Sequence, residues 1–184
     1  AFEIVKKRII EIQSEKGKPI RIAINGIEGT GKTVFAEKLT KYLNSNEMKA
    51  IQISIDGFHF NKEVRYKQGR NSAKGYYENS YDEMTFVNKV LKSTQTEKPN
   101  YISATHDLDT DEYLNLKPIE ISNETITITD GAYLFKPNYI HHWDLKIYLK
   151  TDFESAMKRG IERDKENLGG FEATKEKFEQ RYHK

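Results

Sequence analysis

The sequence predicts an α/β fold of three layers, a parallel sheet of about five strands with helices on both faces. Three observations carry that reading. Short, alternating, β-branched runs recur along the chain, separated by stretches whose apolar residues fall at helical spacing. A glycine-rich turn joins the first of these runs to the helical pattern after it. Two runs end in Asp-Gly, at Asp56-Gly57 and Asp130-Gly131, on the side where open parallel sheets bind their ligands.

Each element can be justified in order. Phe2, Val5, Ile9 and Ile12 put an apolar stripe on a leading helix that stops at Gly17 and Pro19. Ile20-Arg21-Ile22-Ala23-Ile24-Asn25 alternates and reads as a strand. Phe35, Leu39 and Tyr42 mark a helix running to about Leu43. Residues 50–55 form a second strand. Residues 59–79 are polar, tyrosine-rich and without period, a loop region facing a ligand. Ser80 and Glu83 have capping-box spacing ahead of Phe86, Val87, Val90 and Leu91. Two weaker strands, 101–105 and 118–121, flank the acidic turn Asp107-Leu108-Asp109-Thr110-Asp111. Residues 125–129 and 145–149 complete the sheet. Thr151 and Glu154 form a second capping box, opening a helix that breaks at Gly169-Gly170. A last charged helix runs from Glu172 to His183.

Composition narrows the function. The chain has 184 residues, enough for one domain with a full core. Its formal net charge of +2 favours neither nucleic acid nor a membrane as the main partner. With no cysteine there is no disulfide, thiolate zinc site or cysteine nucleophile, which suits a reducing cytoplasm. No apolar run has the length of a membrane span. The start at Ala1 and the close inside a charged helical pattern leave room for further sequence. A monomer or a homodimer is expected.

The glycine-rich turn carries the chemistry. Gly26-Ile27-Glu28-Gly29-Thr30-Gly31-Lys32-Thr33, followed by Val34, fits G-x-x-x-x-G-K-[ST] between a strand and a helix. Glycines let successive backbone N–H groups approach phosphates, and the helix N-terminus adds partial positive charge. Lys32 would reach the β- and γ-phosphates, and the Thr33 hydroxyl would take one Mg²⁺ position. The fold class is therefore that of the P-loop NTPases, with ATP and Mg²⁺ as expected cofactors. Asp56 ends the second strand, where its carboxylate can accept a proton from an attacking hydroxyl, help hold Mg²⁺, or only shape the turn with Gly57.

Asp56-Gly57-Phe58-His59 resembles the D-x-F-H/Y element of the uridine kinase and phosphoribulokinase-like superfamily. The resemblance continues in order. Gly75-Tyr76-Tyr77-Glu78-Asn79-Ser80-Tyr81-Asp82 is similar to the segment that opens the next helix in bacterial uridine kinase-like proteins. Ile128-Thr129-Asp130-Gly131-Ala132-Tyr133-Leu134 is similar to their apolar strand ending in an acid and a glycine. Arg159-Gly160-Ile161-Glu162-Arg163-Asp164 is similar to their arginine-bearing lid helix. It spans roughly residues 20–184 and implies a single kinase domain, with a lid at about 152–172 and a substrate-facing region at about 57–82. It also implies transfer of the γ-phosphoryl of ATP to a small-molecule hydroxyl with Mg²⁺. On that likeness Asp56 is the base, Lys32 stabilises phosphate charge, Thr33 ligates Mg²⁺, and Asp130, a glutamate in many relatives, positions the metal through water.

Arg159 and Arg163 share one helix face and could close over the phosphates, or pair with Glu162 and Glu166. Gly169-Gly170 reads as a lid hinge or a helix cap. His59, Arg65, Arg70, Tyr77 and Tyr81 are candidates for contact with the acceptor. His106 joins them because His106-Asp107 resembles a substrate-side segment of nucleoside kinases. Where those enzymes often carry a later arginine or histidine, this chain has Asp109-Thr110-Asp111. The acceptor expected is a uridine- or cytidine-like nucleoside or related metabolite, with pantothenate, glycerate, a sugar phosphate or nicotinamide riboside as alternatives. A GTPase would need a late N-K-x-D motif, which the sequence lacks. A non-catalytic nucleotide-binding regulator would need neither the Asp56 base nor the lid arginines.

Overall fold

The computed structural model describes residues 1–166 and 169–182. In chain order the first half holds α1 (Phe2–Lys16), β1 (Ile20–Asn25), α2 (Lys32–Asn44), β2 (Ala50–Gln52), α3 (Lys62–Arg65), α4 (Ala73–Asn79) and α5 (Glu83–Phe86). The second half holds β3 (Asn100–Tyr101), β4 (Ile119–Glu120), β5 (Ile126–Gly131), α6 (Pro137–Ile140), β6 (Leu145–Tyr148), α7 (Phe153–Asp164) and α8 (Phe171–Lys177). Helix α5 runs on through a π-helical segment, Val87–Lys92, and α8 through another, Phe178–Tyr182.

Strand β1 sits inside a parallel sheet of order β2-β5-β1-β6. Its alternation sorts the core. Ile20, Ile22 and Ile24 pack with Ile9 of α1 and Ala36, Leu39 and Leu43 of α2 on one face. Ala23 faces the other way, into a cluster holding Ile53, Phe58, Phe86, Leu91 and Trp143. Phe58 and Tyr139 both meet Phe86 edge to face. Asn25 pairs in register with Gly131 of β5 and with Tyr148 of β6, so three strand ends finish level beside the glycine-rich loop.

The sheet has four strands, not about five. The two weaker segments form a separate antiparallel ribbon, with Asn100 opposite Glu120 and Tyr101 opposite Ile119. Both residues of β4 are exposed, and only Tyr101 of β3 packs on the core, so the ribbon lacks a face that could be covered by helices on both sides.

Other local departures have local causes. Strand β2 is shorter than expected: after the Ile53 N–H bonds the Ile128 carbonyl at 2.9 Å, the chain turns into a 3₁₀ segment, Ile55–Phe58. Asp56 therefore sits on a turn. Ser80 and Thr151 do not cap. Asp82 accepts from the Thr85 N–H at 3.0 Å and Asp152 from the Ser155 N–H at 2.7 Å. In each case a carboxylate one or two residues further on, the stronger acceptor, takes the cap. The region read as a loop contains α3 and α4, each too short to show a period and capped by Asn61 and Ser72. Helix α7 ends at Asp164, and Gly170 (φ 99°) is the N-cap of α8, so the glycine pair opens α8 instead of closing α7. His183 lies outside the described residues. No described helix is long and apolar enough to cross a membrane.

Candidate active site

The glycine-rich loop, residues 26–33, leaves β1 and enters α2 under tight steric demands. Gly29 and Gly31 have φ of 83° and 85°, a region that favours glycine. A Cβ on Gly29 would stand 2.0 Å from the Ala156 carbonyl oxygen of α7, and one on Gly26 2.8 Å from that of Leu149. The loop is thus pressed between the end of β6 and α7. No side chain caps α2, so its first N–H groups are left for an anion.

Three side chains fix the loop's chemistry. The Lys32 Nζ donates to the Ile27 carbonyl at 3.0 Å and lies 3.8 Å from Glu28 Oε2. The Thr33 hydroxyl donates to Asp130 Oδ2 at 2.7 Å, and Gln52 Nε2 donates to Asp130 Oδ1 at 2.8 Å. Asp130 is buried at the cavity wall, where these two contacts satisfy one lone pair on each carboxylate oxygen. Burial would raise the Glu28 carboxyl, but Lys32 and Arg163 outweigh it and hold it below the usual range.

The loop forms one wall of a cavity of about 500 Å³ that also takes in Asp56, Tyr81, Asp130, Arg159 and Arg163. Tyr81 donates its hydroxyl to Asp56 Oδ1 at 3.2 Å. The Asp56 side chain stays half open to the cleft. The protein crowded around it, with the charges of Glu28 and Asp130, still pushes its carboxyl up to about 6. That places its proton exchange close to neutrality, where a base for a hydroxyl works best. His59 packs its ring 4.4 Å from that of Tyr81, and burial pulls it down to about 4, so it is neutral at physiological pH.

Helix α7 brings both arginines to the cavity, but they differ. Arg163 is committed: it reaches Glu28 at 3.0 Å and holds Asp164 at 2.6 Å. Arg159 is exposed and makes no side-chain hydrogen bond or ion pair among the described residues.

The candidate acceptor residues divide in the same way. His59, Arg65 and Tyr81 line a second cavity, of about 170 Å³, that shares Asp56 with the first. Arg70, Tyr77 and His106 lie apart from both. Arg70 is exposed over the Tyr66 ring, and Tyr77 packs on Tyr133 and under Lys136. His106 is buried behind the cleft, 3.3 Å from Asp111 and edge-on to Tyr113. Helix phase explains one exchange, since in α4 it is Tyr76, not Tyr77, that faces the site and meets Glu28 at 3.5 Å. Lys177, Arg181 and Tyr182 also line the second cavity. The sequence reading missed them, although Lys177 and Arg181 have the same four-residue spacing that drew attention to Arg159 and Arg163.

These features fit a nucleotide with Mg²⁺. The loop is a cradle that side chains would fill, and Thr33 with Asp130 offers oxygen donors beside it. Mg²⁺ needs only one or two protein ligands when phosphates and water supply the rest. No cluster of three or more His, Cys, Asp or Glu side chains suited to a metal occurs among the described residues.

Comparison with known proteins agrees with this geometry. The model of the phosphoribulokinase / uridine kinase family matches residues 21–184. The chain belongs to that family. It is 26% identical over 156 residues to a uridine kinase from Leuconostoc citreum (strain KM20), covering 83% of this chain and 71% of that one. Among solved structures, it superposes on a candidate fructose transport system kinase from Silicibacter sp. TM1040 with a TM-score of 0.78 and 17% identity, covering 99% of this chain and 90% of the other. A candidate uridine kinase from Bacillus stearothermophilus gives a TM-score of 0.65 at 16% identity, covering 89% and 92%. At such identities the two structures establish the fold. Membership of the phosphoribulokinase / uridine kinase family supports the coarse assignment of this chain as a nucleotide-binding kinase.

Proposed function

We propose that this protein transfers the γ-phosphoryl group of ATP to a hydroxyl of a small molecule, with Asp56 as the base. The observation that carries the reading is the shared cavity: a carboxylate raised to about 6 faces the same space as the phosphate loop and Lys32. Asp56 takes the acceptor's hydroxyl proton. The freed oxygen bonds to the γ-phosphorus as the bond to the β–γ bridging oxygen breaks, and ADP leaves with that oxygen. Tyr81 orients the Asp56 carboxylate through its hydroxyl. Lys32 and the N–H groups of α2 stabilise charge on the phosphates, and Arg159, free of other partners among the described residues, adds to that as α7 closes. Mg²⁺, when bound, would neutralise phosphate charge, held by Thr33 directly and by Asp130 through water.

The acceptor comes from a set that the relatives support in part: nucleosides first, through the uridine kinases, then pantothenate, glycerate, sugar phosphates and nicotinamide riboside. A coupled ADP-release screen across that set tests the reading. At least one compound is expected to raise ADP release well above the rate without acceptor. ATP hydrolysis unmoved by every compound would favour a nucleotide-binding regulator instead.

A further inference from the structure

The second cavity holds more positive charge than its surroundings balance. Arg65, Lys177 and Arg181 line it, and each is at least nine-tenths buried. Arg65 reaches Asp111 only at 3.5 Å, and its Nε has no hydrogen-bond partner. Asp111 is already shared with the Lys62 N–H and with His106. Arg181 gives one nitrogen to the Arg70 carbonyl and leaves its Nε unpartnered, stacked over the rings of Tyr76 and Tyr66. Lys177 has no hydrogen bond or ion pair within 4 Å among the described residues; its ammonium lies over the face of Tyr182, and Asp164 acts on it only from farther away.

A buried cation without a counter-charge is costly, and several together add mutual repulsion. Burial and the nearby Arg181 and Arg70 charges pull the Lys177 ammonium down to about 8. The carboxylates that border the cavity do not remove the imbalance. Glu28 is committed to Lys32 and Arg163, and Asp56 must stay free to take a proton.

We infer that Arg65, Lys177 and Arg181 bind an oxyanion, a carboxylate or phosphate group, carried by the acceptor whose hydroxyl faces Asp56. The inference rests on the kinase reading above and reverses its order of acceptors: the preferred acceptor is an acidic hydroxyl compound, and a neutral nucleoside is a poor one. Arginine suits such a group because its fork meets two oxygens at once, and lysine adds a point charge. The two α8-side cations also tie acceptor recognition to the segment that closes against α7, where the Phe178 ring packs on Gly160.

Two measurements test it, and they fail separately. The first compares paired acceptors in the ADP-release assay: glycerate against glycerol and pantothenate against its alcohol for a carboxylate, ribose 5-phosphate against ribose for a phosphate, with uridine as the nucleoside. One acidic member is expected to exceed its neutral partner and uridine by on the order of a hundredfold in kcat/KM. Lys177→Met and Arg65→Gln should each raise its KM about tenfold or more while leaving the KM for ATP within about twofold. The second is independent of turnover. With the donor site filled by a non-hydrolysable ATP analogue, inorganic phosphate should raise the melting temperature of the wild type and not of Lys177→Met. The shift produced by the analogue itself checks that the variant is folded. A neutral acceptor matching or exceeding the acidic ones, or the absence of any phosphate effect on the wild type, overturns the inference and leaves the kinase reading standing. A phosphate effect without ADP release from any compound supports the anion site and counts against the kinase reading.

Discussion

At the scale of residues, the account turns on Asp56 and what surrounds it. Its carboxyl is raised from an ordinary value of 3.8 to about 6 by the protein crowded around it, Glu28 and Asp130. A base works only when deprotonated, so kcat/KM for the acceptor should climb as pH passes through about 6. His59, lowered to about 4, is already neutral there and leaves that limb to Asp56. Glu28→Gln removes a negative neighbour and frees Arg163, and both changes favour the ionised Asp56, so the limb should move to lower pH. A limb that stays in place would show that Glu28 does not tune the base. The same shift has a stability consequence. Because the folded chain holds this proton more tightly than the unfolded chain, Asp56 favours folding at low pH and costs stability as pH rises from 3.8 towards 6. Asp56→Asn should therefore melt at the same or a higher temperature than wild type at pH 7.5, a combination of lost function and kept stability that marks a site residue.

At the scale of elements, α7 is the helix that packs directly on the glycine-rich loop. Arg163 latches it to Glu28, while Arg159 has no such tie, so the two arginines should fail differently. Arg163→Ala should mainly raise the KM for ATP, by about tenfold, and speed proteolysis of α7. Arg159→Ala should mainly lower kcat. Identical kinetic defects in the two variants would contradict this division. Packing gives a further check. A Cβ at Gly160 would stand 2.0 Å from the Phe178 ring, so Gly160→Ala should cost about 1–3 kcal/mol. The melting temperature should fall by roughly 2–4 °C for each kcal/mol. An unchanged melting temperature would mean that α7 and α8 are not packed as described.

At the scale of the whole molecule, what the sequence disclosed follows from how local each signal is. The glycine-rich turn between β1 and α2, the isoleucine alternation of β1 and the Asp-Gly strand end at residue 130 depend on neighbouring residues, and each stands where the pattern placed it. The four-strand sheet did not follow as easily. Whether residues 100–101 and 119–120 join it depends on what covers them, and a two-residue strand carries no readable face. In the site, Tyr76 and Tyr77 are indistinguishable until the phase of α4 is known. Lys177 and Arg181 are two charges among many until the chain folds α8 back over the Asp56 cleft. The glycine-rich loop is thus written in contiguous sequence, whereas the rest of the cleft around Asp56 is assembled from distant segments. The decisive experiment compares phosphorylated acceptor formed by wild type and Asp56→Asn, with binding of a non-hydrolysable ATP analogue measured in parallel. The account predicts analogue affinity within about threefold of wild type and product formation reduced by on the order of 10²–10⁴. Near-normal product formation by Asp56→Asn would contradict it.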